Sequence, residues 1–167
     1  MRRFLSIVNN ISIWSAKGFS VLILVMTAVV VLEVILRYGF NSPTVWGIEL
    51  VSYISAYVYL IGGAYVLYLN EHVRVDVIYA RLRPRTRAII DLFTSLVFFA
   101  FCAVLIWKGG EWMWEALIGG KTSGTPWDIL VFPRRLAIPL AASLLFLQGV
   151  VKFIRDFQIA RSGKEAL

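Results

Sequence analysis

Ionisable side chains inside apolar segments are the residues of this chain with the clearest chemical potential. Glu33 and Arg37 stand four residues apart near the end of an apolar stretch, and on a helix this spacing, with the acid first, favours an ion pair. Ionisable residues within a membrane span are functional candidates. The pair is therefore interpreted either as a structural or subunit contact or as a group that handles ions or protons. Glu49 and Asp91, also near the ends of apolar stretches, are expected to pair with Arg37 or with arginines that follow the second stretch.

Other reactive residue types are too sparse to form a site. His72 is the only histidine and Cys102 the only cysteine, so the sequence predicts no metal-ligand cluster. A haem held between two histidines would need a second one from this chain or another. No nucleophile stands beside a base, and no Gly-rich phosphate loop is present. We therefore expect no catalytic, cofactor or metal residues, a chain that is not an enzyme, and a Cys102 that acts as a small buried hydrophobe.

The elements that position these residues follow from composition. Apolar residues make up 59% of the chain and charged residues 16%, and each membrane span needs about 20 apolar residues. Long apolar runs without alternation favour helices over strands in a membrane. The sequence therefore predicts an all-α integral membrane protein with a single membrane domain, 1–167, in which four transmembrane helices cover roughly 18–38, 43–70, 87–107 and 134–153.

Helix ends and connections are predicted from capping and charge. Asn41 or Ser42 is expected to cap the second helix, with Pro43 at its first position. An N-terminal amphipathic lead-in helix is expected to turn apolar residues such as Val8 toward lipid. Residues 71–86 are expected to form a basic inner loop that lies on the membrane surface. Residues 109–133, rich in Gly and Trp, are expected to form an outer loop that serves as an interfacial belt or a docking surface.

The basic residues indicate orientation rather than a nucleic-acid partner. The net charge is +7, but Lys and Arg cluster at the ends of apolar segments. Basic residues there indicate membrane topology and contact with lipid headgroups. Most of them fall on the side that holds both termini, with Arg134 and Arg135 on the other side. The positive-inside rule then places the N- and C-termini in the cytoplasm.

Two groups of short motifs resemble a known family. The first is Arg37-Tyr38-Gly39-Phe40-Asn41-Ser42-Pro43, followed by Trp46, Glu49 and His72-Val73-Arg74-Val75-Asp76; the second includes Phe132-Pro133, Arg135, Pro139 and Leu144-Leu145-Phe146-Leu147-Gln148. Their order and spacing, together with four spans, are similar to the small membrane subunit of tripartite ATP-independent periplasmic (TRAP) transporters, the DctQ or SiaQ type.

The resemblance implies a division of labour among three proteins. A periplasmic binding protein (DctP- or SiaP-like) delivers an organic acid such as a C4-dicarboxylate or sialic acid. A large membrane subunit (DctM- or SiaM-like) carries the acid inward with sodium, and the small subunit is its scaffold in the bacterial inner membrane. Sodium is then expected to bind the large subunit, and this chain is expected to hold no cofactor.

The resemblance also suggests structural or subunit-interface roles for individual residues. Four residues at the outer end of the first two spans would brace the turn or meet the binding protein: Arg37, Asn41, Trp46 and Glu49. The candidates in the predicted inner loop would contact headgroups or the large subunit; they are His72, Arg74 and Asp76. The second group of motifs contributes the two remaining candidates, Arg135 and Gln148.

Two readings from other classes remain open on the residues alone. The chain would also suit a membrane-anchor subunit of a respiratory oxidoreductase complex, although the lone His72 argues against a haem-bearing form. A small channel or stand-alone carrier is the other reading, and the scarcity of polar residues at midspan argues against it.

Overall fold

Four long helices make up the protein. The computed structural model describes residues 2–69 and 84–162, and its helices are α1 (Arg2–Gly39), α2 (Gly47–Tyr68), α3 (Pro84–Ile118) and α4 (Phe132–Ser162). All four are long and apolar enough to cross a membrane, which confirms the all-α membrane prediction. Most of the predicted inner loop, with His72, Arg74 and Asp76, lies outside the described residues.

The helices pack in the spatial order α1–α2–α4–α3, with a smaller contact between α1 and α4. In the most apolar window of each helix, 28% of α2 and 33% of α4 is buried, against 6% of α1 and of α3. The two central helices therefore form most of the core, while α1 and α3 offer apolar surface to lipid or to a partner. We call the end that carries connections 40–46 and 119–131 the loop end, and the opposite end the terminal end.

Helix α1 packs along one face for its whole length. Its less exposed residues recur every three or four positions, as expected for one side of a helix, and include Val8, Ser12, Phe19, Met26 and Glu33. Residues of the predicted lead-in thus continue the axis of the first span. The expectation that Val8 faces lipid was wrong, since only 5% of it is exposed; the neighbouring Ser12 bonds α4 and turns this face inward.

Close packing between α3 and α4 extends α3 beyond its predicted end. Residues 109–118, which the sequence analysis placed in the outer loop, are helical. Gly109 does not end the helix because it lies against α4: an added Cβ would stand 2.8 Å from Ile138 Cγ2 and 3.3 Å from Pro139 Cδ. Nearer the terminal end, the ring of Phe99 packs edge-on against Phe146 at 5.1 Å between centroids.

The connection from α3 to α4 is a short ordered hairpin. Val131 N–H donates to Lys121 O and Ser123 N–H donates to Ile129 O, each at 2.9 Å. Left-handed backbone at Gly120, Gly124 and Asp128 makes its turns, a conformation that glycine adopts without strain and aspartate tolerates. Residues 119–131 are therefore held by their own backbone hydrogen bonds.

Gly109→Ala is expected to destabilise the protein because its methyl group would force Ile138 away from α3. Overpacking of this kind costs about 1–3 kcal/mol. The measurement is thermal unfolding of the purified protein in detergent. Gly110→Ala is the matched control: no atom lies within 4 Å of an added Cβ there, and alanine favours helix over glycine. Equal stability of the two variants would contradict the packing role of Gly109.

Candidate functional site

A buried carboxylate joins α1 to α2 at the loop end. Only 8% of Glu33 is exposed. Arg37 Nη2 donates to Glu33 Oε1 at 2.9 Å, which is the ion pair that the sequence predicted. Glu33 Oε2 accepts hydrogen bonds from the Thr44 amide at 3.2 Å and from the Thr44 hydroxyl at 2.5 Å. The carboxylate is thus shared between its own helix and the connection that follows.

Thr44 also contacts the first turn of α2. Its Oγ1 accepts a hydrogen bond from Gly47 N–H at 3.0 Å, so it satisfies one of the free amides at the start of a helix. The expectation that Asn41 or Ser42 caps this helix and that Pro43 opens it was wrong: the helix begins at Gly47, directly after Trp46, and Thr44 accepts from its first amide. A Ser or Thr just before a helix was the signal that could have identified it.

The connection is too tight for a side chain at Gly47. An added Cβ would lie 2.6 Å from Thr44 Oγ1 and 2.9 Å from Glu33 Oε2. Asn41, at φ 49°, follows the end of α1 in left-handed backbone, which asparagine tolerates better than most residues. Trp46 is half-buried immediately before α2. Of the candidate residues, Glu33, Arg37, Asn41 and Trp46 therefore lie at one turn.

A shallow apolar groove lies beside the ion pair. It has a volume of about 300 Å³ and runs between Val30 and Val34 of α1 and Ile48 and Val51 of α2. The Arg37 side chain borders it and remains 44% exposed. The groove therefore joins apolar walls to a guanidinium at the loop end.

Glu49 connects α2 to the hairpin. Its Oε2 accepts a hydrogen bond from the Thr125 hydroxyl at 2.5 Å, and Thr125 also lies 2.8 Å from the Ser123 hydroxyl. The other oxygen, Oε1, is buried and has no hydrogen-bond partner among the described residues. The prediction of an arginine partner for Glu49 was wrong within this part of the chain, because the hairpin brings Thr125 there instead.

Two tyrosines of α2 and two arginines of α4 complete the loop end. The Tyr53 hydroxyl donates to Leu130 O at 2.7 Å, and the Tyr57 hydroxyl donates to Pro133 O at 2.5 Å. Arg134 lies over the Tyr53 ring at 5.6 Å, and Arg135 Nη1 donates to a carbonyl of α3, Trp112 O, at 3.0 Å. These contacts tie α2, α3 and α4 together, and only Arg135 among them was a candidate.

Gln148 lies far from this cluster, toward the terminal end. Only 2% of it is exposed. Its Oε1 accepts from Ser12 Oγ and its Nε2 donates to Asn9 Oδ1, each at 3.1 Å, so both ends of the amide bond α1.

Asp91 belongs to a second cluster at the same end. Lys152 of α4 donates to Asp91 at 2.9 Å and to Asp156 at 2.7 Å. The three groups link α3 to α4, and the lysine was not among the partners that the sequence analysis expected for Asp91.

The family comparison covers most of these contacts. The model for the DctQ component of tripartite ATP-independent periplasmic transporters matches residues 26–159, from the middle of α1 to the end of α4. The chain belongs to the DctQ family. Over 127 residues, this DctQ chain is also 31% identical to a protein of Haemophilus influenzae named as a TRAP transporter small permease protein, covering 72% of this chain and 75% of that protein. The resemblance found in the sequence is confirmed.

Membership makes this chain a TRAP transporter small subunit and a multi-pass membrane protein. Within residues 2–69 and 84–162, no group of three His, Cys, Asp or Glu side chains has an arrangement that could hold a metal ion. The polar residues of this structure join helices. Glu33 and Thr44 link α1 to α2, Tyr57 links α2 to α4, and Gln148 links α4 to α1.

Thr44→Val is expected to lower the free energy of unfolding by about 1–3 kcal/mol, because Glu33 loses a donor while remaining buried. The measurement is unfolding of the DctQ chain in detergent with increasing denaturant. Thr27→Val is the matched control, since Thr27 is exposed and its hydroxyl bonds only Ile23 O of its own helix. An equal effect of the two substitutions would show that the Thr44 bridge adds nothing to stability.

Thr125→Val and Glu49→Gln are expected to act differently on stability. The first removes the donor to a carboxylate that already has one buried oxygen without a partner, and we expect a loss of about 1 kcal/mol. The second keeps an acceptor for Thr125 and removes the charge, so we expect no loss. Thermal unfolding of both variants measures the difference, and a larger loss in Glu49→Gln would refute it.

Proposed function

We propose that this DctQ chain is the fixed scaffold subunit of a TRAP transporter for the uptake of an organic acid. In this role it packs against a large DctM-like membrane subunit, which performs sodium-coupled transport of an acid that a periplasmic binding protein delivers. The observation that carries the proposal is the family match, which extends over parts or all of the four helices.

The helix contacts support a scaffold rather than a transport path. A carrier usually has interrupted helices with unpaired polar groups near the membrane centre. Here Glu33, Tyr57 and Gln148 all bind other parts of this chain, which stiffens the helix array. Substrate and sodium are therefore assigned to the large subunit, and no catalytic role to this chain.

Apolar exposed surface supports assembly with a membrane partner. Leu24 of α1 and Val97 of α3 are 72% and 73% exposed, and they sit on helices that this chain barely covers. In a membrane such surfaces meet either lipid or neighbouring helices. The large subunit would take part of this surface and lipid the rest.

The loop end supports a placement toward the periplasm. Arg37 is partly exposed beside the α1–α2 turn, and Tyr38 and Phe40 are 80% and 71% exposed there. In the bacterial inner membrane with cytoplasmic termini, this end would stand where a binding protein arrives. Arg37 and Glu49 would then brace the turn, and the exposed residues would form part of the contact surface.

The function is tested by isolating the chain from its native membrane in mild detergent and identifying its partners by mass spectrometry. We expect a large polytopic subunit at constant ratio, and sodium-dependent uptake of an organic acid when both are reconstituted with the binding protein. Vesicles that contain this chain alone are the control and should show no uptake. A redox flavoprotein or iron–sulfur partner would overturn the proposal in favour of a respiratory anchor, as would uptake by the chain alone in favour of a carrier.

A further inference from the structure

Three helices carry charge-free stretches of nearly equal length. They are residues 18–32 of α1, 92–107 of α3 and 136–151 of α4, and ionisable residues bound each of them on both sides. At a rise of 1.5 Å per residue, each stretch covers about 23 Å. These stretches are the parts of the helices that lipid tails cover without meeting a charge.

Contacts between α3 and α4 place their stretches at the same height. At the terminal end, Asp91 of α3 meets Lys152 of α4 at 2.9 Å. Toward the loop end, Arg135 of α4 donates to Trp112 O of α3. Lys108, the charge that closes the stretch on α3, stands one turn from Trp112 and therefore near the height of Arg135.

The stretch on α1 begins at a different height. The hydrogen bond between Ser12 and Gln148 shows that these two residues lie at the same height along α1 and α4. From that level, Lys17 of α1 stands about 7 Å toward the loop end, whereas Lys152 of α4 stands about 6 Å toward the terminal end. The first boundary of α1 is thus displaced by about 13 Å.

The other boundary of α1 is displaced by a similar amount. Counted from the same level, Glu33 of α1 stands about 31 Å toward the loop end and Arg135 of α4 about 20 Å. Contacts of α2 also place Glu33 nearer the loop end than Arg135. The Tyr57 hydroxyl reaches Pro133 at the start of α4. Gly47, which lies beside Glu33, is about 15 Å closer to the loop end than Tyr57. Both boundaries of α1 are therefore shifted toward the loop end.

We propose that the lipid bilayer meets this chain along an inclined belt, about 12 Å nearer the loop end on α1 than on α3 and α4. In a flat bilayer normal to the helices, either Lys17 or the pair Arg135 and Lys108 would enter the hydrocarbon. Lys17 is exposed on α1, and a lysine at the bilayer centre costs about 3 kcal/mol. Inclination of the helix array places all of these charges at headgroup level, and transmembrane helices are commonly tilted.

Aromatic residues follow the same inclined line. Trp14 lies one turn before Lys17 and is 74% exposed, and Trp107 precedes Lys108 and is 72% exposed. Tryptophan is enriched at membrane interfaces. Trp14 would mark the terminal-end interface on α1, and Trp107 the loop-end interface on α3. This inference concerns the chain in its bilayer and does not depend on the proposed function.

Two pairs of exposed positions at equal height along the helices provide the test. Trp14 and Val97 form one pair and Leu24 and Trp107 the other, and each of the four side chains is 72–74% exposed. Single-cysteine variants in a Cys102→Ala background are spin-labelled in phospholipid vesicles, and immersion depth is measured from the relative accessibility to oxygen and to a water-soluble nickel chelate.

The inclined belt predicts opposite differences in the two pairs. The label at Val97 should be about 12 Å deeper than the label at Trp14, and the label at Leu24 deeper than the label at Trp107 by a similar amount. Equal depth within each pair would overturn the proposal. Lys17 and Ala100 form a third pair of equal height, with the deeper label expected at Ala100, so loss of one variant leaves the test decisive.

Discussion

In a bilayer, a polar group that leaves water must find its partner inside the protein, and the carboxylate of Glu33, only 8% exposed, is such a group. Three donors converge on it, from Arg37 and from the amide and hydroxyl of Thr44. The same interaction ends one helix, sets the connection and starts the next at Gly47. Because α2 occupies a central place in the array, its starting position determines which of its residues reach α4.

The position of α2 in turn determines where the hairpin, α4 and α3 lie. Tyr53 and Tyr57 bond backbone carbonyls at the hairpin and at the start of α4, and α4 carries α3 through Lys152 and the packing at Gly109. The tyrosine and lysine links use polar groups that would otherwise be costly in lipid. In this DctQ subunit, these links hold the helices in fixed relative positions.

Sequence reasoning predicted the parts of the structure that depend on local patterns. Four spans follow from apolar runs, and the Glu33–Arg37 pair follows from its spacing. The role of Thr44 depended on a chain reversal that returns it to Glu33. The helical state of residues 109–118 depends on the packing of Gly109 against α4, because the flexibility of glycine favours a loop unless close packing offsets it. Likewise, Ser12 and Gln148 meet across most of the chain, and no local signal reveals their pairing.

The two partners of each tyrosine link depend differently on residue type. Their acceptors, Leu130 O and Pro133 O, belong to the backbone, and every residue type has such an oxygen. Drift at position 130 can therefore leave the link intact, provided the hairpin keeps its path, whereas exchange of Tyr53 or Tyr57 for phenylalanine removes the donor outright. In an evolving lineage, the side chains on which the tyrosine links depend are therefore all carried by α2.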